Sequence, residues 1–574
     1  MKNINKLILS FLIAGTVFSC SKLGKNFTEV TQEGKNGTLY YGGDIITAEG
    51  GETPEYAEAV WVKDGKIAFV GNLKEAEKLS PDAERVDLNG KTMTPGFIDG
   101  HAHFGGFGAQ AVTANLLASP DGKCNSMDDL IAELKDWHTK NGTDKTKGWI
   151  LGMGFDDAVL KENRFPTRED LDKVSKDIPI CVMHISGHFC VLNSKGLEVM
   201  NINAQTKAVP GGVIRRMPNS QEPNGVLEEN TAMPVIFKLF FPESKYAEYY
   251  MDKGQEMALS YGYTTLNEGK TYENHLQFVE YAKKGKLKLD LLSFLDPSMA
   301  KFLDSEWNST KYTNHYRIGG LKITLDGSPQ GRTAWRTIPY LIPPDGQKTR
   351  YKGYAQMTDE QVQSAVDLAY QRNLQIKAHC NGDAAGDQFI KAIHNAEKKF
   401  PKQDRRHIFI HGQLIRKDQI DSLAKYQIFG SFFPMHTYYW GDWYKKIIGD
   451  KAAREISPVQ SALKKGVHIN THTDAPVALP NMMMILWTSI NRQSRSGDIM
   501  GKEERLTPYQ ALKAITIWGA YEFKEENLKG SIKKGKLADL VILDQNPLKI
   551  DPLKIKDISV LQTIKEGKAI YTKK

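Results

Sequence analysis

The chain has 574 residues, enough for several minimal domains or for one large α/β barrel. Hydrophobic residues make up 40% and charged residues 25%, which excludes a disordered or collagen-like chain. The net charge is +8 (76 basic minus 68 acidic residues) and no basic stripe is present, so nucleic-acid binding is not expected. No run reaches about 18 apolar residues, which excludes a polytopic membrane protein. The five cysteines contain no C-x-x-C pair, which predicts neither a disulfide scaffold nor a cysteine-zinc site.

The N-terminus has the pattern of an export signal. Two lysines precede an apolar run over residues 7–18, which is too short to span a membrane as a mature helix. The run is followed by Cys20, as in a bacterial lipoprotein signal. We therefore predict a lipoprotein-type signal peptide over residues 1–19, a polar tether over 20–36, and anchoring in a membrane through lipid on Cys20, in the periplasm or at the cell surface. Ordinary secretion is the alternative.

Both ends of the mature chain are typical of short strands joined by tight turns. Three dipeptides that favour two-residue turns lie between β-rich segments: Asp64-Gly65, Asn89-Gly90 and Glu566-Gly567. Each predicts a hairpin. Two hairpin-rich ends around a long α/β middle predict one small β-sandwich domain, built from residues 37–93 and 531–574.

The middle of the chain, residues 94–530, alternates apolar strands with amphipathic helices such as 359–372 and 384–399. Eight candidate strands lie at 94–103, 263–268, 287–295, 318–326, 374–380, 407–411, 427–432 and 467–474. Eight parallel strands with intervening helices predict a closed (β/α)8 TIM-like barrel. A Gly- and Pro-punctuated insertion at about 105–250 is expected to be irregular and to face the substrate.

Polar side chains recur at the carboxyl ends of these strands, where barrel enzymes carry their chemistry. His101 and His103 lie two residues apart, so both imidazoles leave the strand on one side and can share a metal. The period of two turns further polar residues toward the barrel axis: Lys322, Thr324, Asp326, Lys377, His379, His411, His472 and Asp474. The sequence therefore predicts a polar site inside the barrel.

Lys322 is costly inside a barrel unless its charge is neutralised or paired. Its neutral amine can add carbon dioxide to give a carbamate, which is a carboxylate on a long arm that can bridge two divalent ions. An ordinary ion pair between Lys322 and Asp326 is the alternative. Lys377 also points inward, and we expect it nearer the barrel floor.

The motifs of this chain resemble the amidohydrolase superfamily, in particular the amidohydrolase-3 branch that includes N-substituted formamide deformylases. The resemblance rests on segments in order along nearly the whole mature chain: PGFIDGHAHF (95–104), SGHFCVLNS (186–194), NGVLEE (224–229), LKITLDGSPQGRTA (321–334), AHCNGDAA (378–385), HTDAPV (472–477) and GKLADLVILDQNP (535–547). Two positions depart from the branch. Ile410 stands where an acidic residue is common, and bulkier residues precede Asp474 in place of a glycine-serine pair.

The resemblance implies a barrel with a small β-sandwich and a binuclear metal site. It implies that His101 and His103 bind one metal, that His379 and His411 bind the second, and that Lys322 bridges them as the carbamate. Asp474 would contact metal and act as general base. Histidine nitrogens and carboxylate oxygens suit zinc, so two divalent ions, Zn²⁺ above all, are the expected cofactors.

These residues favour metal-assisted hydrolysis of a non-peptide C–N bond in a small molecule, with a hydroxide generated at the metals. His188 is a third candidate catalytic residue, able to orient a substrate carbonyl from the insertion or simply to bond within its loop. The aromatic run 438–440 forms either a pocket wall or ordinary packing. A lactonase or esterase and a deaminase remain alternatives on the same scaffold, as does an inactive ligand-binding surface lipoprotein. A homo-oligomer is compatible with the sequence.

Overall fold

A computed structural model describes residues 36–574 except 210–211, 242–245, 345–346 and 348. The predicted signal peptide (1–19), Cys20 and all but the last residue of the predicted tether (20–36) lie outside the described residues. Within the described part of the chain, no helix is both long enough and apolar enough to cross a membrane.

Eight parallel strands form one sheet, the central sheet, in the same order as in the sequence. They are Phe97–Ile98, Tyr263–Thr271, Asp290–Leu295, Tyr316–Thr324, Gln375–Cys380, Ile408–His411, Phe429–Phe432 and Ile469–Thr471. Each overlaps one of the eight candidate strands, so the mixed α/β class with a parallel sheet is confirmed. The first strand is shorter than predicted because Thr92–Pro95 pairs with the C-terminal strand Leu540–Leu543 instead.

Backbone hydrogen bonds join the residues that follow the first strand of the central sheet to the residues that follow its last strand. The Asp474 N–H donates to the His101 carbonyl at 3.0 Å, and the His103 N–H donates to the Ala475 carbonyl at 2.8 Å. These bonds bring the two ends of the strand order together, so the sheet is curved. No strand ladder pairs the two outermost strands within the described ranges, and full closure therefore stays a prediction.

Helices cover the sheet, as the sequence pattern predicts. The helix Asp359–Gln371 starts with a capping box, in which the Gln361 N–H donates to Thr358 Oγ1 at 3.3 Å and the Thr358 N–H donates to Gln361 Oε1 at 2.8 Å. Its buried residues recur at helical spacing: Val362, Ala365, Val366, Ala369 and Tyr370. The helix predicted at 384–399 is Asp383–Lys399.

Further helices follow or separate these strands. They are His275–Lys283, Lys417–Tyr426, His436–Tyr439, Gly441–Ile448, Asp450–Arg454, Val459–Lys464, Met482–Asn491, Pro508–Ala514 and Ile517–Glu522. Short 3-10 turns lie at Asp144–Thr146, Pro297–Asp304, Lys502–Glu504 and Pro552–Asp557.

Strands from both ends of the chain form a second eight-stranded sheet, the terminal sheet. They are Thr38–Ile46, Tyr56–Lys63, Lys66–Gly71, Glu84–Asp87, Thr92–Pro95, Leu540–Leu543, Val560–Lys565 and Lys568–Thr572, and the helix Leu73–Leu79 lies between the third and fourth. Both ends therefore contribute to one sheet, while its organisation as a two-sheet sandwich stays a prediction.

Two of the three predicted hairpins are present, at Asp64-Gly65 and Glu566-Gly567. The hairpin predicted at Asn89-Gly90 is wrong. Both residues have positive φ, 48° and 74°, but the flanking strands Glu84–Asp87 and Thr92–Pro95 both run parallel to Thr38–Ile46. The turn connects two strands that do not pair with each other, and it lies beside the register shift in Thr38–Ile46. There the Gly90 N–H donates to the Gly42 carbonyl at 2.7 Å.

The insertion has regular structure, so the expectation of an irregular excursion is wrong. Six strands form the insertion sheet: Ala114–Asn115, Ile150–Phe155, Ile180–His184, Phe189–Leu192, Gly212–Arg216 and Pro223–Glu229. Its helices are Phe104–Val112, Met127–Asn141, Arg168–Asp172, Ser194–Val199, Met233–Phe240 and Ala247–Ser260. Fully buried apolar residues, such as Leu151 and Val182, lie on both faces of the strands, which gives this region a core of its own.

A buried ion network joins the terminal sheet to the central sheet. Asp290, at the start of its strand, contacts the ammonium groups of Lys529 and Lys565, the latter at 2.8 Å, and Lys565 also pairs with Asp539 at 2.9 Å. Burial alone would raise the pKa of Asp290, but the charges of Lys529 and Lys565 hold that pKa well below its ordinary value. The two sheets are therefore coupled by charge as well as by apolar packing.

Asp290→Asn is expected to destabilise the fold, because it leaves two buried ammonium groups short of a partner. Losing one partner of a buried ion pair costs about 3–5 kcal/mol, so the thermal melting midpoint should fall clearly. Asp304→Asn is the matched control, since Asp304 pairs with Arg372 on the surface, where such a loss costs up to about 1 kcal/mol. Equal melting midpoints for the two variants would contradict the proposed coupling.

Candidate metal centre

The first group of candidate ligands lies where the two outermost strands of the central sheet end. His101 is 1% exposed, and its Nε2 lies 3.5 Å from Asp474 Oδ1. The His103 Nε2 lies 3.7 Å from the same oxygen. Two imidazole nitrogens and one carboxylate oxygen thus converge on one point, which is a donor set suited to a divalent metal.

A second pair of nitrogens faces this group across the mouth of the sheet. His379 Nδ1 and His411 Nε2, from adjacent strands, lie 3.1 Å apart. Lys322 Nζ lies 3.0 Å from His101 Nε2 and is 2% exposed. The structure thus brings together all six predicted ligand positions; their roles in metal binding stay predictions.

The protonation state of the histidines fits a cation. Burial, assisted by the nearby charge of Lys322, lowers the pKa of His101 and His379 well below the ordinary value, and burial does the same for His411. The imidazoles are therefore neutral and offer lone pairs. A buried cluster of neutral nitrogens that face one another with few protons to share is better satisfied by a metal ion than by hydrogen bonds alone.

The pKa values of Lys322 and Asp474 are shifted in opposite directions. Burial lowers the pKa of Lys322 to about 7, against the charge of Asp474 and with the help of Lys270 and Lys377. Burial raises the pKa of Asp474 to about 6, although the charges of His103 and Lys322 oppose this rise. An uncharged amine and an ionised carboxylate are therefore both accessible near neutral pH, as carbamate formation and base catalysis require.

Asp99, which was not predicted from the sequence, forms hydrogen bonds to both of the segments that carry His101 and Asp474. It accepts hydrogen bonds from Tyr263 Oη at 2.9 Å, from the backbone N–H of His101 at 3.2 Å, and from both Oγ1 (2.5 Å) and N–H (3.2 Å) of Thr473. His101 and Asp474 are thereby held by one buried group. Its position just before the His-x-His pair was the available signal.

Glu268 was also missed. Its Oε1 lies 3.2 Å from His103 Nδ1, and its Oε2 accepts the Gly105 N–H at 2.8 Å. A carboxylate on Nδ1 keeps the proton there and presents Nε2 toward the metal position. The signal was a polar pair, Asn267-Glu268, near the end of an apolar strand. The next residue, Gly269, is required by packing, because a Cβ there would lie 2.3 Å from the His101 ring.

Lys322 and Asp326 form no ion pair within the described part of the chain, so that alternative for Lys322 is wrong. Asp326 instead accepts three backbone N–H groups, from Trp335, Asn381 and Gly382, at 2.7–3.0 Å. It orders the loops that follow two neighbouring strands.

Two further inward-pointing residues support the centre from behind. His472 Nε2 lies 3.1 Å from His411 Nδ1, and its other ring nitrogen lies 2.9 Å from Ser431 Oγ. Lys377 is fully buried, donates to the Gly100 carbonyl at 2.7 Å and pairs with Glu522 at 2.8 Å. Lys377 thus lies beneath the loop that carries His101, as expected for a residue near the floor.

The insertion places His188 beside Glu229, with His188 Nδ1 and Glu229 Oε2 2.9 Å apart. Burial alone would lower the pKa of His188, but the hydrogen bond and charge of Glu229 raise it. The charge of His188 is also among the causes that lower the pKa of His379. The predicted role of His188 toward the substrate stays a prediction.

The aromatic run after the seventh strand is mostly packed away. Tyr439 and Trp440 are buried, and the Tyr439 hydroxyl bonds to Asp121 of the insertion. Tyr438 is only partly buried and packs edge-on against Trp487. Packing is therefore the main role of this run.

The order of these motifs and the geometry of the centre agree with a family model. The model, described as the amidohydrolase family, matches residues 84–571. The chain belongs to the amidohydrolase family. The resemblance inferred from the motifs is thus confirmed, and membership supports hydrolase activity and metal binding.

Full-length relatives are similar along nearly the whole chain. The putative amidohydrolase YtcJ of Bacillus subtilis (strain 168) is 26% identical over 554 residues, covering 93% of this chain and 99% of that protein. The N-substituted formamide deformylase of Arthrobacter pascens is 26% identical over 542 residues, covering 90% and 95%. A crystal structure of an uncharacterized metal-dependent hydrolase from Pyrococcus horikoshii OT3 superposes with a TM-score of 0.71 at 23% identity, covering 90% and 99%, which shows a shared fold.

Glu268→Gln is expected to weaken metal binding while leaving the fold intact, because the amide no longer fixes the His103 proton on Nδ1. Loss of such an outer partner typically costs about 10–100-fold in metal affinity, which competition with a chelator measures. Glu273→Gln, in a surface pair with Lys301, is the control and should bind metal like the wild type. Unchanged affinity in Glu268→Gln would show that the Glu268 carboxylate does not prepare His103 for metal binding.

Proposed function

We propose that this chain is a metal-dependent amidohydrolase that cleaves a non-peptide C–N bond of a small molecule, of the N-acyl or amide type. The observation that carries the proposal is the position of Lys322 Nζ, 3.0 Å from His101 Nε2, in a centre where the imidazoles of His379 and His411 also converge. The similarity to an enzyme named N-substituted formamide deformylase supports C–N bond cleavage.

The residues that would hold two divalent ions are His101, His103 and Asp474 for one, His379 and His411 for the other, and Lys322 between them. Nitrogen and carboxylate donors favour zinc. Two such ions would lower the pKa of water and polarise a substrate carbonyl.

Lys322 is proposed to work as a carbamate. Its neutral amine nitrogen forms a bond to the carbon of CO₂ and releases one proton, which leaves an anionic group with two oxygens. Burial supports this step, because it lowers the pKa of Lys322 to about 7 and so makes the neutral amine available. The carbamate is an anion, and it would replace the Lys322 ammonium at a position where positively charged metal ions are proposed to bind.

Asp474 is proposed to move the proton of the reaction. Its carboxylate accepts a proton from the attacking water and returns it to the departing nitrogen. His188 is proposed to donate a hydrogen bond to the substrate carbonyl oxygen, since Glu229 holds its Nδ1 proton and favours its charged form.

Other reactions on this scaffold remain as alternatives. A lactonase or esterase would use the same centre, and a deaminase would need similar histidines without Lys322. A ligand-binding protein without activity is disfavoured, because six inward-facing ligand positions have no structural reason to persist in a dead site.

We also propose the finer architecture: a closed (β/α)8 barrel with a β-sandwich at its side. The backbone bonds between the chain at His101–His103 and at Asp474–Ala475 support closure. The pairing of Leu540–Leu543 with Thr92–Pro95 supports a single small domain built from both ends.

Wild-type protein is expected to hydrolyse members of a panel of N-formyl, N-acetyl and N-aromatic-acyl amines, and Asp474→Asn should lose most turnover. The amide keeps the shape of the side chain but cannot shuttle a proton, and loss of a general base typically removes about 10²–10⁴-fold in rate. Asp177→Asn, an exposed position, is the control. Turnover confined to lactones, or ammonia release from aminopurines, would show that another bond is cleaved.

Lys322→Ala is expected to lose most bound metal and activity, because the bridging anion is absent. A short-chain carboxylic acid should restore part of both, and ¹³C-bicarbonate should give a carbamate resonance in the wild type that the variant lacks. Lys270→Ala, which removes a neighbouring ammonium without removing the bridge, should keep that resonance. Full metal content in Lys322→Ala would rule out the bridging role.

Export and lipid anchoring through Cys20 are proposed from the N-terminal pattern alone. Cys20→Ser is expected to leave the protein soluble or unprocessed in cell fractionation, because the thiol that would carry the lipid is missing. Cys124→Ser, at a buried free cysteine, is the control and should partition like the wild type. Unchanged membrane partitioning of Cys20→Ser would count against the lipid on Cys20.

A further inference from the structure

The chain that follows the fourth strand of the central sheet, residues 325–344, is here called the strand-four loop. The Trp443 Nε1–H donates to the Gln330 carbonyl of this loop at 3.1 Å, and Trp443 belongs to the helix that follows the seventh strand. The fifth and sixth strands lie between the fourth and the seventh. The strand-four loop therefore spans the side of the mouth at which the strands carrying His379 and His411 end.

Arg332 lies in the part of this loop that adjoins the candidate metal centre. The Gly327 carbonyl is 3.2 Å from His379 Nε2. Thr333, the residue after Arg332, packs against Gly327, since a Cβ on this glycine would lie 2.1 Å from Thr333 Oγ1. Arg332 is thus separated from a candidate ligand by two contacts, which suits contact with a part of the substrate away from the reacting bond.

The backbone of Arg332 is held in a strained conformation. Its φ is 62°, in the left-handed region that a long side chain rarely adopts. The Arg332 N–H donates to the Pro329 carbonyl and the Thr333 N–H to the Ser328 carbonyl, both at 3.0 Å. These bonds fix the turn in spite of the strain, and strain retained in this way is typical of functional sites.

The guanidinium of Arg332 has one nitrogen in use and two without a partner. Nη1 donates to the Pro343 carbonyl at 3.1 Å, and Cζ lies 5.6 Å from the centroid of the Trp443 ring. The Nε atom is buried and has no hydrogen-bond partner among the described residues. In the same part of the chain Nη2 donates no hydrogen bond, and the guanidinium forms no ion pair with a carboxylate. A buried donor without an acceptor is costly, so Nε indicates a missing ligand.

Arg492 shows how a structural arginine is bonded in this protein. It is fully buried, and its Nε, Nη1 and Nη2 donate to the carbonyls of Met500, Ser457 and Ile456 at 2.6–3.0 Å. An arginine that only fastened the strand-four loop would use its nitrogens in the same way. Arg332 uses one of three.

We propose that Nε and Nη2 of Arg332 bind a carboxylate of the substrate, so that the amide cleaved at the centre belongs to a carboxylate-bearing molecule such as an N-acyl amino acid. The inference rests on the proposed function. The two N–H groups form a planar fork that matches the two oxygens of a carboxylate. One guanidinium charge also balances one carboxylate better than the nearly double charge of a phosphate monoester.

The test uses pairs of substrates that differ only in the carboxylate: N-acetylphenylalanine, as either enantiomer, with N-acetylphenethylamine, and their N-formyl counterparts. The wild type should favour the carboxylate member in kcat/KM by about 10–100-fold, the effect of one charged hydrogen-bonded pair. Arg332→Lys keeps the charge but loses the fork. It should lose most of this preference through a higher KM, with similar kcat and unchanged turnover of the neutral member.

Arg332→Gln should lose the same preference. Arg350→Gln is the matched control, because it removes the same charge from an exposed position before the next helix. This control should keep the wild-type preference, which separates the fork from the general positive charge of the region.

Calorimetric binding of benzenesulfonate to the metal-loaded protein is a second measurement that needs no reaction. A sulfonate binds a guanidinium but is a poor metal ligand, so its affinity should fall in Arg332→Lys. If this fall is observed while no amide is hydrolysed, the proposed function fails and the anion site at Arg332 stands. If amides are hydrolysed without a preference that depends on Arg332, the inference fails and the proposed function stands.

Equal carboxylate preference in the wild type and both Arg332 variants would overturn the inference. A uniform loss of turnover toward both members of each pair would also overturn it, because that result assigns Arg332 to the structure of the loop alone.

Discussion

The candidate centre depends on a seam of hydrogen bonds between the chain after the first and after the last strand of the central sheet. Asp99 is the middle of this seam, because its carboxylate binds both the His101 and the Thr473 backbone. Beneath it, Lys377 and Glu522 form a fully buried pair that reaches the Gly100 carbonyl and the Asn470 amide. Candidate ligands that are far apart in sequence thus share one buried support, which fixes their spacing.

Much of this site was predictable because a parallel sheet imposes two strict rules. Side chains alternate in direction along a strand, and all strands end at one edge. These rules were enough to group Lys322, His379, His411 and Asp474. The positions of Asp99 and Glu268 near strand ends were a signal for both, but their supporting roles follow only from the atoms that each carboxylate contacts. The hairpin at Asn89-Gly90 failed for a related reason: the dipeptide encodes the local turn but not the direction of the strands beside it.

The insertion shows how local irregularity in sequence can conceal order. Its glycines and prolines indicated loops, yet the segment forms a six-stranded sheet with apolar cores on both faces. Short strands with continuous apolar runs lack the alternation that identifies a half-exposed sheet, so periodicity alone could not separate them from loops. This unit packs around cores of its own, so its loops can change without disturbing the central sheet.

The terminal sheet has a consequence for how the protein is made. Thr92–Pro95 pairs with Leu540–Leu543, more than four hundred residues later in the chain. During synthesis the five N-terminal strands of the terminal sheet therefore have an unpaired edge at Thr92–Pro95 until almost the whole polypeptide has been made. An open strand edge invites pairing with other chains, so the period between the two events is when this protein most needs a chaperone.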